Sequence, residues 1–399
     1  MTRDDPLLAA ARRRADSALA LIRELAEIES PTGCGPGVKR VFDRLIPEFE
    51  ARGFRVRRIP DRSRADAATD ARDETSPGHL LALPPERPHG APLQLVIGHV
   101  DTVWPVGTLE TMPVRVEEGR LHGPGVFDMK GGVAQALVAL DVLADAGVTP
   151  AALPLFFLNS DEETGSPDSK RHVRRLGRIV ERALVAEPAF GEEGRLKTAR
   201  KGILRFRVIA HGRSAHAGLD PEAGRSAIEA LAHATLALHR LNDPAAGTTV
   251  NVGRVSGGTR ANVVAARAEA DVDARVVTEE AALKIESAIA GLTSAVEGVR
   301  LEILGGRVCP PFERTTRNQR LWERARDAAH ALGFDIEEAS VGGGSDGNTL
   351  SPLTATLDGL GAVGDGAHAD HEHLVIDRVP ERIALFAALL AAPLDDGLR

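Results

Sequence analysis

Apolar and polar positions along the chain alternate with two different periods. The N-terminal stretch "MTRDDPLLAAARRRADSALALIRELAEIESPTG" interrupts its apolar residues with charges at every turn, which predicts an amphipathic helix. "LQLVIGHV", "LPLFFLNS" and "RALVAEP" are short, nearly continuous apolar runs and predict buried strands. Between the first two lies "GGVAQALVALDVLADAG", a helical pattern ending at Gly147. Strand–helix–strand alternation predicts an α/β sheet with parallel pairs. Ligands collect beyond the carboxyl ends of strands in such sheets. His99, Asp101, Asp161, Glu162, Glu163 and Glu187 all fall at such ends.

From about residue 200 the texture changes. "GILRFRVIAHG", "TTVNVGRVSGG" and "RAEADVDARVV" alternate as half-buried strands do. "SAIEALAHATLALHRL" and "EEAALKIESAIAGLTSAV" have helical period. Two helices with about four strands form a small α+β unit with one solvated sheet face. After about residue 308 the first texture returns, with the helix "NQRLWERARDAAHALG", the loop "GGGSDGN", a short apolar strand and the helix "ERIALFAALLAA". The expected organisation is one α/β domain from residues 1–199 and 308–399, with a smaller domain, 200–307, inserted. Residues 61–90, rich in Arg, Asp and Pro, read as an exposed loop.

The 399 residues are 43% hydrophobic and 27% charged, an ordinary globular balance for about two domains. Aromatics make up 3% and Tyr is absent, so the core is aliphatic. A net charge of −8 without a long basic run argues against nucleic acid as a partner. Cys34 and Cys309 are the two cysteines, so no disulfide framework is expected. No apolar run reaches the ~18 residues a membrane span needs. The charged N-terminal helix pattern is unlike a signal peptide. These features read as a soluble, cytoplasmic protein that neither binds nucleic acid nor enters a membrane.

The chemistry concentrates at the strand ends. "NSDEETGS" sets three acids in a row after an apolar strand, and such a cluster is either solvated or gathered around a cation. "GHVDTV" offers His99 with Asp101 two residues on, the spacing at which a carboxylate steadies a ligand imidazole. "GPGVFDMKGG" offers Asp128 before a helix, where it serves either as a cap or as a ligand. "VAEPAF" adds Glu187, and "GDGAHADHEHL" adds His368, His371 and His373. Histidines and carboxylates together suit one or two borderline cations such as zinc. "GGGSDGN" lacks the Lys-Ser/Thr of a phosphate-binding loop.

"GHVDTVWPVG", "GPGVFDMKGG", "NSDEETGS", "VAEPAF", "GRSAHAGLDPEAG", "GGGSDG" and "GAHADHEHL" occur in the order of the di-zinc aminoacylase and glutamate carboxypeptidase superfamily. The chain resembles it from about residue 20 onward and is most like the bacterial glutamate carboxypeptidases of the carboxypeptidase G type. The resemblance implies a zinc-peptidase-like catalytic domain with a mixed, largely parallel sheet, and an inserted lid domain through which two copies form a homodimer. It implies two Zn(2+), with cobalt or manganese as substitutes. His99, Asp128 and Glu187 would hold one metal, and Asp128, Glu163 and His368 the second. Asp101 would orient His99, Glu162 would act as general base, and Asp161 would support the loop. His216, in "GRSAHAG", would stabilise the oxyanion from the lid of the partner subunit.

The chemistry implied is amide hydrolysis. Two divalent cations polarise a carbonyl and acidify water. A carboxylate in reach removes the proton and returns it to the leaving nitrogen. Arg275 and Asn262 match positions that hold a substrate carboxylate, for which the planar guanidinium fork suits. Gly343 and Gly344 would line the pocket. Ser345 has no nucleophile-elbow context. Glu187 matches carboxypeptidases and acylases, where relatives acting as aminopeptidases tend to carry Asp. Ala265 stands where many relatives have Pro. The substrate class implied is a small N-acyl amino acid or peptide with a free carboxylate, glutamate foremost. A broader aminoacylase, deacetylase or desuccinylase is the alternative.

Overall fold

The computed structural model describes residues 5–61 and 77–394. The chain divides into two compact units, one of residues 1–198, 314–340 and 345–399, the other of residues 199–313 and 341–344.

The larger unit is built on a six-stranded sheet. Its order is Arg55–Ile59, His79–Leu83, Leu153–Asn159, Leu93–His99, Arg182–Val185 and Ala355–Leu357. The first two pairings are antiparallel and the remaining three parallel, so the sheet is mixed and largely parallel. The strand Leu93–His99 is buried at every residue because both faces are covered. Leu95 and Ile97 face one apolar cluster with Val173, Leu176 and Leu350. Val96 faces the other, built from the helices Pro6–Ala26, Gly35–Ala51, Lys130–Ala146, Thr316–Leu332 and Val379–Ala391. Aliphatic side chains dominate both clusters, as the composition predicts.

A second, four-stranded sheet matters more for the site. It orders Gly364–Asp365, His373–Val375, Arg120–His122 and Arg115–Glu117, all antiparallel. His373 pairs with His122, so the loop 366–372 lies against the turn that begins at Gly123.

The smaller unit has four antiparallel strands in the order Thr249–Gly257, Arg267–Val276, Gly202–His211 and Arg300–Cys309. Its core joins Leu204, Val208, Val272 and Val276 to Leu231 and Leu238 of one helix and Ile285 and Ile289 of the other. Opposite sheet positions carry Arg207 with Asp271 and Arg205 with Asp273, the solvated face that the alternation predicts.

Two local readings are corrected. His79–Leu83, within the stretch read as an exposed loop, is a largely buried strand, because its "HLLAL" packs beside Leu153–Asn159. Of the remainder of that reading, residues 85–90 are an exposed loop as expected, and residues 62–76 lie outside the described residues. The helix read through "AGLTSAV" ends at Ala290, where Gly291 follows. No helix of the described residues is long and apolar enough to cross a membrane.

Candidate metal centre

His99 ends a fully buried strand. Its Nδ1 donates to the carbonyl oxygen of Asp101 at 2.9 Å, which leaves the Nε2 lone pair free on the opposite side of the ring. The Asp101 carboxylate stands 3.5 Å from the same Nδ1. That carboxylate is held by the Thr32 hydroxyl at 2.7 Å and faces the backbone N–H groups of Glu162 and Glu163 at 3.4 and 3.3 Å. Asp101 therefore positions both the imidazole and the acidic turn.

Asp128 sits in the turn leading into the helix Lys130–Ala146, and its two oxygens face different histidines. Oδ1 lies 3.3 Å from His99 Nε2, and Oδ2 lies 3.3 Å from His368 Nε2. Oδ1 is buried without a hydrogen-bond partner, the condition of an atom shaped to meet a cation. Glu187 Oε1 is 3.7 Å from His99 Nε2, and Glu163 Oε2 is 3.0 Å from His368 Nε2. Two candidate groups of donors result, His99, Asp128 and Glu187 on one side and His368, Asp128 and Glu163 on the other. These donors fit a pair of borderline divalent cations. His99, Asp128 and Glu163 also offer atoms within 4.8 Å of one another, as do His99, Glu162 and Glu187.

Within the histidine-rich loop, His368 is the residue that reaches Asp128 and Glu163. Its backbone is left-handed, with φ 62°. A non-glycine residue in that region is strained, and such strain gathers at functional sites. His371 lies exposed beside Asp370, and His373 is buried with its Nδ1 donating to the His371 carbonyl.

Electrostatics follow from the crowding. Burial pushes the His99 pKa down, but Asp101 and Asp128 outweigh it and hold the imidazole well above its ordinary value. Burial alone would raise Asp128, but His368 and His99 pull it below the usual carboxylate range. Asp128 and Glu163 lift His368 to about 10. Glu162 moves the other way, because burial and then the charge of Glu187 hold its carboxyl well above the ordinary value. Proton-holding carboxyls inside a carboxylate cluster are a mark of acid–base sites.

Asp161 points away from this cluster. Its Oδ2 accepts from the backbone N–H groups of Asp168 and Ser169 at 2.8 and 3.0 Å, closing the loop as expected. Ser345 caps a short helix and donates to Asp358 at 2.6 Å, a structural hydroxyl.

The remaining site candidates belong to the smaller unit. The His216 segment pairs with the Asn262 segment through a bridge to Val263 and an Ala217 N–H bond to the Asn262 carbonyl at 3.0 Å. His216 Nδ1 accepts from the N–H groups of Gly218 and Leu219 at 3.1 and 3.2 Å, so its Nε2–H is the outward donor. Arg275 already grips a carboxylate: Nε and Nη2 donate to Asp273 at 2.7 and 3.1 Å, and Nη1 to the Gly342 carbonyl at 3.4 Å. The Gly343 and Gly344 carbonyls accept from Arg200 at 3.3 and 3.1 Å, and a Cβ on Gly343 would meet open space.

Sequence reading passed over several supports of the site. Glu372 is fully buried against the Asp128 turn, and burial raises its carboxyl to about 7. Asp346 accepts from Ser166 and Asn159 at 2.7 and 2.5 Å behind the acidic loop. Lys130 is buried with its Nζ on the Ile28 carbonyl at 2.7 Å. Glu372 stood within the "HADHEH" cluster, where the histidines drew the reading away from it.

Comparisons with known proteins show the family. The model of peptidase family M20/M25/M40 matches residues 95–392. Carboxypeptidase G2 of Pseudomonas sp. (strain RS-16) is 27% identical over 397 residues, covering 97% of this chain and 92% of that protein. Succinyl-diaminopimelate desuccinylase of Stenotrophomonas maltophilia (strain R551-3) is 30% identical over 319 residues, covering 75% and 84%. Among solved structures, aminopeptidase PepT of Bacillus cereus ATCC 10987 superposes with a TM-score of 0.75 at 22% identity, covering 94% of this chain and 98% of that one, a likeness of fold. With the family match spanning most of its length, the chain belongs to peptidase family M20/M25/M40, whose members hydrolyse amide bonds.

Proposed function

We propose that this hydrolase binds two divalent cations, zinc foremost, and cleaves an amide bond beside a free carboxylate, releasing a C-terminal amino acid, with glutamate as the leading candidate. The observation that carries the two-metal reading is Asp128, which turns one oxygen toward each of two histidines. His99 and Glu187 complete one set, and His368 and Glu163 the other. Bound there, the cations would polarise the amide carbonyl and acidify water.

The protein's own residues supply the remaining work. Glu162 lies among the candidate ligands, and the raised affinity of its carboxylate for a proton makes it a stronger base, suited to removing a proton from water and delivering it to the leaving nitrogen. His216 offers an Nε2–H donor for the developing oxyanion. Arg275, with Asn262 beside the His216 segment, would take the substrate carboxylate. Its present grip on Asp273 is the same two-point pairing that a terminal carboxylate would make. Gly343 leaves room for substrate backbone, and Gly344 follows it in the same loop. Helix residues Ile228 and Leu236 and edge-strand residue Val255 expose apolar surface on the smaller unit, which favours a homodimer formed through it. A cytoplasmic location fits small N-acyl amino acids or peptides as substrates.

The desuccinylase relative supports a second reading, removal of an N-acyl group from an amino acid on the same scaffold. One experiment separates the two. The metal-loaded protein is assayed against N-acyl and folyl derivatives of several amino acids, with a chelated control. Preference for glutamate, abolished by the chelator, supports the carboxypeptidase reading. Preference for other amino acids or for a succinyl group supports the second. No turnover of any member with two metals bound refutes both.

A further inference from the structure

Glu372 touches three of the segments that carry the candidate metal sets. Its Oε1 accepts from the backbone N–H groups of Phe127 and Asp128, both at 3.0 Å. Its Oε2 accepts from the Gly125 N–H at 3.0 Å and from the Trp104 indole at 2.7 Å. Four donors on two oxygens fill the acceptor capacity of one carboxylate. The Glu372 carbonyl accepts a fifth bond, from Gly123 N–H at 3.2 Å, while its own N–H closes a turn onto Ala369 at 2.9 Å. Trp104 lies three residues beyond Asp101, and His368 four before Glu372.

We propose that Glu372 is the positioning residue of the metal centre: it fixes Asp128 and His368 relative to one another and ties both to the segment of His99 and Asp101. The inference rests on the reading of Asp128 and His368 as metal ligands. The physical reason is geometric. The turn Gly123–Asp128 presents its N–H groups inward with no helix to receive them, and Glu372 supplies acceptors that also carry the His368 loop. A glutamine there turns an N–H2 toward two of the four donors and breaks the cradle on one side. The Asp128 carboxylate and the His368 ring then lose their fixed separation, and the set that needs both loses affinity first.

The test is titration of cobalt(II) into the metal-free protein, followed by calorimetry and the visible d–d bands, for wild type, Glu372→Gln and Trp104→Phe. Wild type takes up two equivalents. In Glu372→Gln the second equivalent weakens by about 10- to 100-fold, the range for outer supports of metal ligands, and its d–d bands change, while the first stays within about threefold. Thermal unfolding of the metal-free variants separates this effect from general destabilisation. Two wild-type equivalents together with unaltered affinities and bands in a folded Glu372→Gln overturn this proposal alone. Fewer than two equivalents in wild type overturns the two-metal reading and the proposal with it. Should Glu372→Gln not fold, Trp104→Phe, which removes one donor of the four, decides: a weaker second site supports the proposal, and an unchanged one overturns it.

Discussion

Asp128 divides its carboxylate between His99 and His368, with one oxygen 3.3 Å from each Nε2. On the two-metal reading, a side chain shared in this way would belong to both candidate ligand sets at once. Asp128→Asn keeps the shape and removes the charge, so it is expected to lower bound metal from two equivalents to at most one. Turnover should fall by about 10³-fold or more, because several kcal/mol of charge stabilisation depend on the pair. Elemental analysis of the purified variant beside its kcat checks this, and two equivalents at wild-type affinity would contradict it.

Glu162 and Glu163 are adjacent but differ in environment. Glu163 faces His368, while Glu162 is half-buried near Glu187. Glu162→Gln should retain metal and lose about 10²- to 10⁴-fold in kcat, the usual worth of a positioned acid–base group. Loss of metal with loss of rate would make Glu162 a ligand instead.

His216 belongs to the smaller unit and presents its Nε2–H outward. His216→Ala should lower kcat by about 10²- to 10³-fold with little change in metal content. Activity regained on mixing His216→Ala with Glu162→Gln would place the two groups on different subunits of one active site. Failure to regain it would confine them to one chain.

Arg275→Ala removes a two-point carboxylate grip and should raise KM by about 10- to 100-fold with kcat held within a few fold. An unchanged KM across substrates with and without the free carboxylate would remove Arg275 from recognition.

Arg382 tests the fold apart from the site. It is buried, and its guanidinium donates to the carbonyls of Leu360, Gly361, Gly194 and Gly359. Arg382→Met leaves those acceptors without their donor and is expected to cost about 3 kcal/mol or more. Thermal unfolding of the metal-loaded protein measures it, and a wild-type Tm would show that the carbonyls find other donors.

Periodicity in the sequence was enough to locate the strands Leu93–His99 and Leu153–Asn159 and the helix between them. A strand buried on both faces must be apolar along its length, so the pattern carries its own identity. The same logic placed His99, Asp101 and the acids 161–163 at strand ends, where the apolar run stops, although His99, Asp101 and Asp161 stay buried. The strand His79–Leu83 escaped because its few apolar residues sit beside a polar, Pro-containing stretch.

What the sequence could not determine is who meets whom across long separations. Asp128 and His368 are brought together by the pairing of His122 with His373. Glu372 became legible only when its carboxylate was seen beneath the N–H groups of Gly125, Phe127 and Asp128. The physical reason is that local pattern records whether a side chain is buried, whereas partner identity depends on register between segments distant in the chain. Only the tertiary structure sets that register. It also separated the near-identical neighbours, bringing His368 rather than His371 or His373 to Glu163.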